Sequence, residues 1–569
     1  MKRSSLHPRS RPQVDNPSKT NISSLPLELL QSIFLLVKHT KAYPCFEISQ
    51  VCAFWRTLAL GTTELWSSIQ IRPQSRSQPW VSELMKRSGQ RPLTIEVKPF
   101  VPDSVQGPLP FRGPPVNFFM KVHASRIQEM TLREYPQGLL RQLFEERTAP
   151  LLHTLRIDGV YVEIDFGYTP NFILGDSNFL TDRLRRLSVA RCRVNWNARL
   201  FHRLTHLRIR NLPDGIGTKP VLEEFFAVVK RMPTLEYLEL GDFLESSANY
   251  HSDTLITAFP KISLPSLKTL RLWTTMDETA GILSSIALPA IFKIQTHSYQ
   301  LLDFGDGLEC FDAVINALYE HYQTMTGSPS MQVGQSQSGF TPRSVRLRSV
   351  HYPSSRIVLQ AFDRVLPLDD VSTKLSRQNH EPRLDLTFDF DDRKWVMQDD
   401  LLELFHGLPC HNLVVLQLLG TFEFDRPDEW TEVFDALPAL QSLAVGGSSS
   451  SGPFFELLVH GLPSTTISDR SKFPLPSLSS ITVYRGNPDR SSKWFIRPFK
   501  ALKKRKEFGV PIHHLLLLDC NRVDAASFRD VVKDVRVAHT PDWSESDSES
   551  ESDPSDESGL DEDDTVDIW

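Results

Sequence analysis

Residues 233–240 read PTLEYLEL, residues 265–272 PSLKTLRL, residues 438–445 PALQSLAV and residues 476–483 PSLSSITV. In each, a proline stands two positions before an apolar residue, and two more apolar residues follow three and five positions after it. Proline ends a preceding helix and pushes its predecessor towards extended backbone. The last two apolar positions are two apart, as on one face of a strand. Each stretch therefore predicts a turn followed by a strand, with the proline as a repeat boundary.

The same apolar spacing recurs elsewhere. Ile127, Met130 and Leu132 show it, as do Leu152, Leu155 and Ile157, then Leu184, Leu187 and Val189, then Leu204, Leu207 and Ile209, and Leu413, Leu416 and Leu418. A strand is expected at Pro92–Val97 after a short helix at Trp80–Gly89, and a last strand at His513–Leu518. Helical patterns at Val221–Val229 and Trp430–Leu437 stand between strands. One strand and one helix cannot bury both apolar faces alone, so the units must stack. The expected fold class is α/β: a parallel sheet with outer helices over residues 80–540. This part of the chain resembles the leucine-rich repeat, whose unit is about 20–29 residues. Here the first leucines of consecutive units are 20 to 38 positions apart, and many units lack the family's asparagine ladder, so the resemblance implies an irregular solenoid. The Gly-, Ser- and Gln-rich stretch at 325–342 reads as a flexible insertion within the array, Val345 to Asp370 after it has weak periodicity, and Gly446–Pro453 reads as a shorter flexible loop.

Ahead of the repeats, residues 21–71 read as three short helices. Pro26 suits a first helical turn, and Leu29, Leu30, Ile33, Phe34 and Val37 share one apolar face. After a break at Tyr43-Pro44, Ile48, Val51, Cys52, Trp55 and Ala59 form a second face that stops at Gly61. Leu25, Leu27, Leu36, Leu65 and Trp66 are more apolar surface than so small a pack can bury, so some of it must meet a partner. The clusters Leu25-Pro26-x-Glu28-Leu29-Leu30-x-x-Ile33-Phe34, Val51-Cys52-x-x-Trp55-Arg56 and Leu65-Trp66 resemble the F-box in its fungal form. That resemblance implies docking on the Skp-type adaptor of a cullin ubiquitin ligase, with Leu25, Pro26, Leu29, Ile33 and Phe34 as contact residues. The alternative is a helical hairpin packed on its own domain.

The chain's net charge is −6, yet residues 542–569 hold thirteen Asp and Glu with no Lys or Arg, leaving +7 on the remainder. So polar a segment cannot offset the entropy of ordering, and residues 541–569 are expected to be disordered. Ser544, Ser546, Ser548, Ser550 and Ser558 each have an acidic residue three positions on, resembling sites of acidophilic casein-type kinases. Residues 1–20 are basic and proline-containing, and are also expected to be disordered.

No catalytic constellation accompanies these features. Asp303-Phe304-Gly305 lacks the other kinase motifs, Pro453 stands where a phosphate loop needs lysine, and His406, Cys410 and His411 lack a second ligand pair. The six cysteines are scattered singly and read as reduced thiols. No run of about eighteen apolar residues is present, so a cytoplasmic or nuclear protein is expected, with no membrane or nucleic-acid partner. Lys500, Lys503, Lys504, Arg505 and Lys506 read as a solvated helix face or an import signal. The leading expectation is a non-catalytic substrate receptor of an SCF-type ubiquitin ligase, without cofactor or metal, whose repeats bind a target protein. The competing one is an interaction scaffold with no role in ubiquitylation.

Overall fold

A computed structural model describes residues 22, 25–37, 44–71, 78–98, 122–136, 140–141, 143–144, 149–161, 173–175, 183–213, 219–245, 261–289, 293–299, 307–326, 340–350, 355–367, 381–390, 404–405, 408, 410–420, 422, 427–446, 451–459, 474–484, 496–520 and 525–538. The basic residues 1–20, residues 327–339 of the expected insertion, residues 303–305, His406, and the acidic segment with its five serines lie outside the described residues. The chain forms two compact units, Met1–Leu204 and Thr205–Trp569.

The first unit opens with three helices, α1 (Leu27–Val37), α2 (Pro44–Val51) and α3 (Ala53–Gly61). A 3-10 turn, Thr63–Trp66, leads into β1 (Ser68–Ile71); α4 (Gln78–Arg87) and β2 (Leu93–Val97) follow. Strands β3 (Ile127–Pro136), β4 (Thr154–Tyr161) and β5 (Arg186–Ala190) complete a sheet in which every neighbour pair from β1 to β5 is parallel. Its inner face carries the residues that the spacing selects: Met130, Leu132, Leu155, Ile157, Leu187 and Val189 are all buried.

The second unit alternates strand and helix through β6 (His206–Arg210), α5 (Leu222–Val229), β7 (Tyr237–Gly241), the two-residue β8 (Ile262–Ser263), β9 (Thr269–Thr275) and α6 (Met276–Ser285). The two-residue β10 (Ile286–Ala287), β11 (Lys293–Tyr299) and α7 (Gly307–Thr326) come next, then β12 (Ser344–Val350), β13 (Ser355–Phe362) and β14 (Leu384–Phe390). The unit continues with β15 (Val415–Leu419), α8 (Pro427–Asp435), β16 (Ser442–Gly446), α9 (Ser451–Leu457), β17 (Ser480–Tyr484), α10 (Ile496–Glu507), β18 (His514–Leu518) and β19 (Asp534–Ala538). Parallel pairing runs β6-β7-β9-β11-β14 and β12-β15-β16-β17-β18-β19. Between these runs, β13 is antiparallel to both β12 and β14. A mostly parallel α/β sheet of this kind is consistent with a repeat solenoid. In the weakly periodic stretch after the expected insertion, residues 344–350 and 355–362 form a β-hairpin inside the sheet. The expected loop at 446–453 is also shorter, because Ser451-Gly452-Pro453 opens α9, with proline in the first turn, where its missing N–H costs nothing.

Two local devices recur. At Pro150, Pro233, Pro265, Pro438 and Pro476, the N–H two residues after proline donates to the carbonyl one residue before it: Leu152 to Ala149 (3.0 Å), and Leu235 to Met232, Leu267 to Leu264, Leu440 to Leu437 and Leu478 to Leu475 (3.1 Å each). Proline thus occupies the second position of a β-turn, where its fixed φ is preorganised. The residue directly after a strand is the second device. Arg191, Asn211, Asp242 and Asp519 have φ of 52°, 48°, 41° and 52°, and Gly420 has 112°. Asn, Asp and Gly are the residues that tolerate left-handed backbone best, so this position turns the chain out of the sheet at low cost. A Cβ on Gly420 would lie 2.0 Å from the Ser349 carbonyl oxygen, so no other residue fits there without backbone movement.

Candidate functional site

The Leu30 N–H donates to the Pro26 carbonyl at 3.1 Å, which makes Pro26 the residue that opens α1. Sequence alone suggests one apolar face on this helix; the structure divides it into two stripes. Leu30 and Phe34 point inward and are buried. Leu29, Ile33 and Leu36, at i, i+4 and i+7, remain 53%, 37% and 70% exposed. Pro26 is exposed and Leu25 half-buried. Phe34, at 1% exposure, therefore leaves the set of surface residues proposed to meet a partner. Its ring packs 4.9 Å from that of Trp55 and closes the module's own core.

The second expected face is interrupted. Cys52 has extended backbone (φ −157°, ψ 171°) and its Sγ accepts from the Trp55 N–H at 3.4 Å, so it caps α3 instead of continuing α2. Arg56 Nε donates to the Ser49 carbonyl at 2.9 Å and ties the two helices across the break. Ile48 and Ala59 are buried, but Val51, Phe54 and Leu60 are exposed. Leu65 and Trp66 are buried; the Trp66 indole donates to the Ala59 carbonyl at 2.7 Å, and the Arg87 guanidinium lies 4.5 Å over its ring. Among the described residues, eight of the twelve exposed large apolar side chains fall between Ile22 and Leu60. Fully burying such a side chain is worth about 1.5–3 kcal/mol, so this concentration is a surface that gains from being covered.

A second candidate lies on the polar face of the second unit's sheet. Strand pairing sets Arg208, Glu239, Arg271, Gln295, Asp385, Gln360, Arg346 and Gln417 side by side in one row. Glu239 is fully buried and takes three cations: Arg208 and Arg210 approach its Oε1 at 2.5 Å, and Arg271 approaches Oε2 at 3.8 Å. The Tyr237 hydroxyl donates to the same carboxylate, and burial together with that charge pushes its pKa up. Burial pulls the Arg210 pKa down, against the attraction of Glu239. Arg271 Nε donates to Gln295 Oε1 at 2.5 Å, and farther along the row Arg346 Nε donates to Gln417 Oε1 at 2.7 Å. Of the other acids nearby, Glu236 pairs with Lys268 at 2.6 Å, Asp242 with Lys219 at 2.7 Å, and Asp389 with Arg356 at 2.6 Å, with His297 Nε2 also 2.6 Å from Asp389, while Asp385 accepts from the Gln360 amide at 3.2 Å. Burial alone would raise the Asp389 carboxyl pKa, but hydrogen bonds from His297 and Arg356 outweigh it and hold the group below its usual range. Sequence reasoning missed this cluster, although a signal existed: Arg208, Glu239 and Arg271 each stand four residues after the first leucine of their repeat.

The basic run is not a uniformly solvated face. Lys503 is exposed and Lys504 half-buried on α10, but Arg505 is fully buried and donates to the Leu458, Pro474 and Leu475 carbonyls at 3.4, 2.8 and 3.0 Å. Cys410 is buried with its thiol pushed up to about 12, as burial disfavours thiolate. Among the described residues no group of three or more His, Cys, Asp or Glu could hold a metal ion, and no helix is long and apolar enough to cross a membrane.

No family model and no curated protein matches the chain. Among solved structures it is similar to the leucine-rich repeat-containing protein LegL7 from Legionella pneumophila, with 11% identity, coverage of 59% of this chain and 84% of that chain, and a TM-score of 0.24. A likeness so remote bears on no functional question.

Proposed function

We propose that the chain is the substrate-recognition subunit of an SCF-type ubiquitin ligase, with residues 21–71 as a fungal-type F-box and an irregular leucine-rich-repeat array that holds a target protein. The observation that carries this reading is the exposed stripe Leu29, Ile33 and Leu36 on a helical module whose core is already closed by Leu30, Phe34 and Trp66. Leu25 and Pro26 extend the stripe at the start of α1. The chain itself is non-catalytic in this reading. It raises the effective concentration of a target lysine near a charged conjugating enzyme, so that a bimolecular transfer becomes effectively intramolecular.

Full-length protein immobilised in cell extract is expected to capture the Skp-type adaptor and a cullin. Failure to do so under conditions where a known F-box protein succeeds overturns the proposal. A scaffold without a ubiquitylation role predicts adaptor capture but no transfer to a bound target in a reconstituted reaction.

A further inference from the structure

Arg208, Arg210 and Arg271 surround the single carboxylate of Glu239. One negative charge balances one guanidinium, so the cluster carries two surplus positive charges. All three arginines are half-buried in the sheet face, where water screens them less than it screens an exposed lysine. Guanidinium groups held in this way favour carboxylates, which they can bind with paired N–H donors.

The chain supplies its own polyanion. We propose that the acidic segment 542–569 docks on the Arg208, Arg210 and Arg271 face of the sheet. The segment follows β19, the last strand of the same unit. Nine strand spacings separate β9 from β19, on the order of 40 Å at about 4.8 Å each. Twenty extended residues reach about 65 Å, so the acidic cluster at Asp561–Asp564 spans the distance with chain to spare. Tethering gives the segment an effective concentration in the millimolar range, so even weak pairing fills the face. The exposed Lys503 of α10 is a less favourable partner, because solvated surface pairs contribute only about 0–1 kcal/mol. A target protein that uses this face must displace the segment, and the proposal stands or falls without reference to adaptor capture.

The test compares two full-length chains, wild type and a form in which every Asp and Glu of 542–569 is replaced by Asn or Gln. A fluorescein-labelled peptide of residues 542–569 is titrated into each and read by anisotropy. Binding to the amide-substituted chain is expected to be at least tenfold tighter than to wild type, whose face is already occupied, and to weaken at 300 mM salt. Arg210→Gln with Arg271→Gln in the amide-substituted chain should abolish it while leaving Arg208 to hold Glu239. Equal affinity for both chains, or binding to neither, overturns the proposal. So does binding that survives the arginine substitutions with an unchanged melting transition, or that is lost instead on replacing Lys500, Lys503 and Lys504 by Gln.

Discussion

The Arg210 guanidinium carbon lies 4.3 Å from the centroid of the Trp273 ring, although their strands, β6 and β9, are separated by β7. Gly241 makes the contact possible: it is the register partner of both residues, and a Cβ there would come within 3.2 Å of the Trp273 Cβ and 3.5 Å of the Arg210 Cγ. Gly241→Val is expected to destabilise the protein by about 1–3 kcal/mol through overpacking. Because the clash and the cation–π contact share one space, Arg210→Ala in the same chain should cost less than the sum of the single changes. Strict additivity in urea melts would contradict this account.

Phe34 and its neighbours on α1 should separate stability from recognition. Phe34→Ala empties a closed core and is expected to cost about 3–5 kcal/mol. Leu29→Ser with Ile33→Ser changes exposed positions, so stability should move by no more than about 0.5 kcal/mol for each change while adaptor capture is lost. A double variant that unfolds, or that captures adaptor as wild type does, goes against the proposed surface.

Arg505 gives a test of how a charged run is divided. Arg505→Met removes a donor from three buried carbonyls; Leu475 keeps the Leu478 N–H, so the Leu458 and Pro474 carbonyls lose most, and at about 1–3 kcal/mol for each a loss of at least about 2 kcal/mol is expected. Arg505→Lys should rescue little of it, since an ammonium cannot reproduce the planar fork. Lys503→Gln and Lys504→Gln should be nearly neutral. Comparable melting of Arg505→Met and wild type would show the buried contacts to be unimportant.

Glu278 predicts a pH dependence. It closes a capping box on α6, with the Glu278 N–H donating to Thr275 Oγ1 at 3.3 Å and the Thr275 N–H donating to Glu278 Oε2 at 3.4 Å. Burial raises its carboxyl from 4.5 to about 7, more than the hydrogen bond from Thr275 lowers it. A raised folded pKa means that the fold favours the protonated group. Its stabilisation is therefore present below pH 4.5 and lost as pH rises through about 7. Glu278→Gln keeps the side chain neutral and able to accept the same bond. The variant should lack that slope and exceed wild type in stability at pH 8, as read by urea midpoints across the range. An identical pH profile for the two chains would remove Glu278 as the cause.

The strands that could be read from sequence share one signature, apolar residues at i, i+3 and i+5, because those positions point into one buried layer. The second strand position of that layer is apolar in β7 (Leu240) and in β16 (Val445), and both are buried. Strand β11 was hidden because, after Ile294, its inward positions are polar. Thr296 and Ser298 are buried there, and Ser298 joins a hydroxyl chain through Thr279 (2.8 Å) to Thr274 (2.9 Å). Strand β14 alternates strictly, from Leu384 to Phe390, but it has neither the proline turn nor the leucine spacing of β7, β9, β16 and β17. The division of α1 was equally out of reach: Ile33 and Phe34 are adjacent in sequence and equally apolar, and only the position of Trp55 decides which is covered. The arginine cluster required the register of three separate repeats.

The reversed strand β13 has a consequence for how this sheet can change length. The chain crosses the segment 344–390 up, down and up again, and leaves it with the polarity with which it entered. Its outer strands present parallel edges to β11 on one side and β15 on the other. An odd number of crossings is thus neutral in parity, and three strands can be gained or lost here without inverting any other. A single antiparallel hairpin at the same place would leave one flank facing the wrong way.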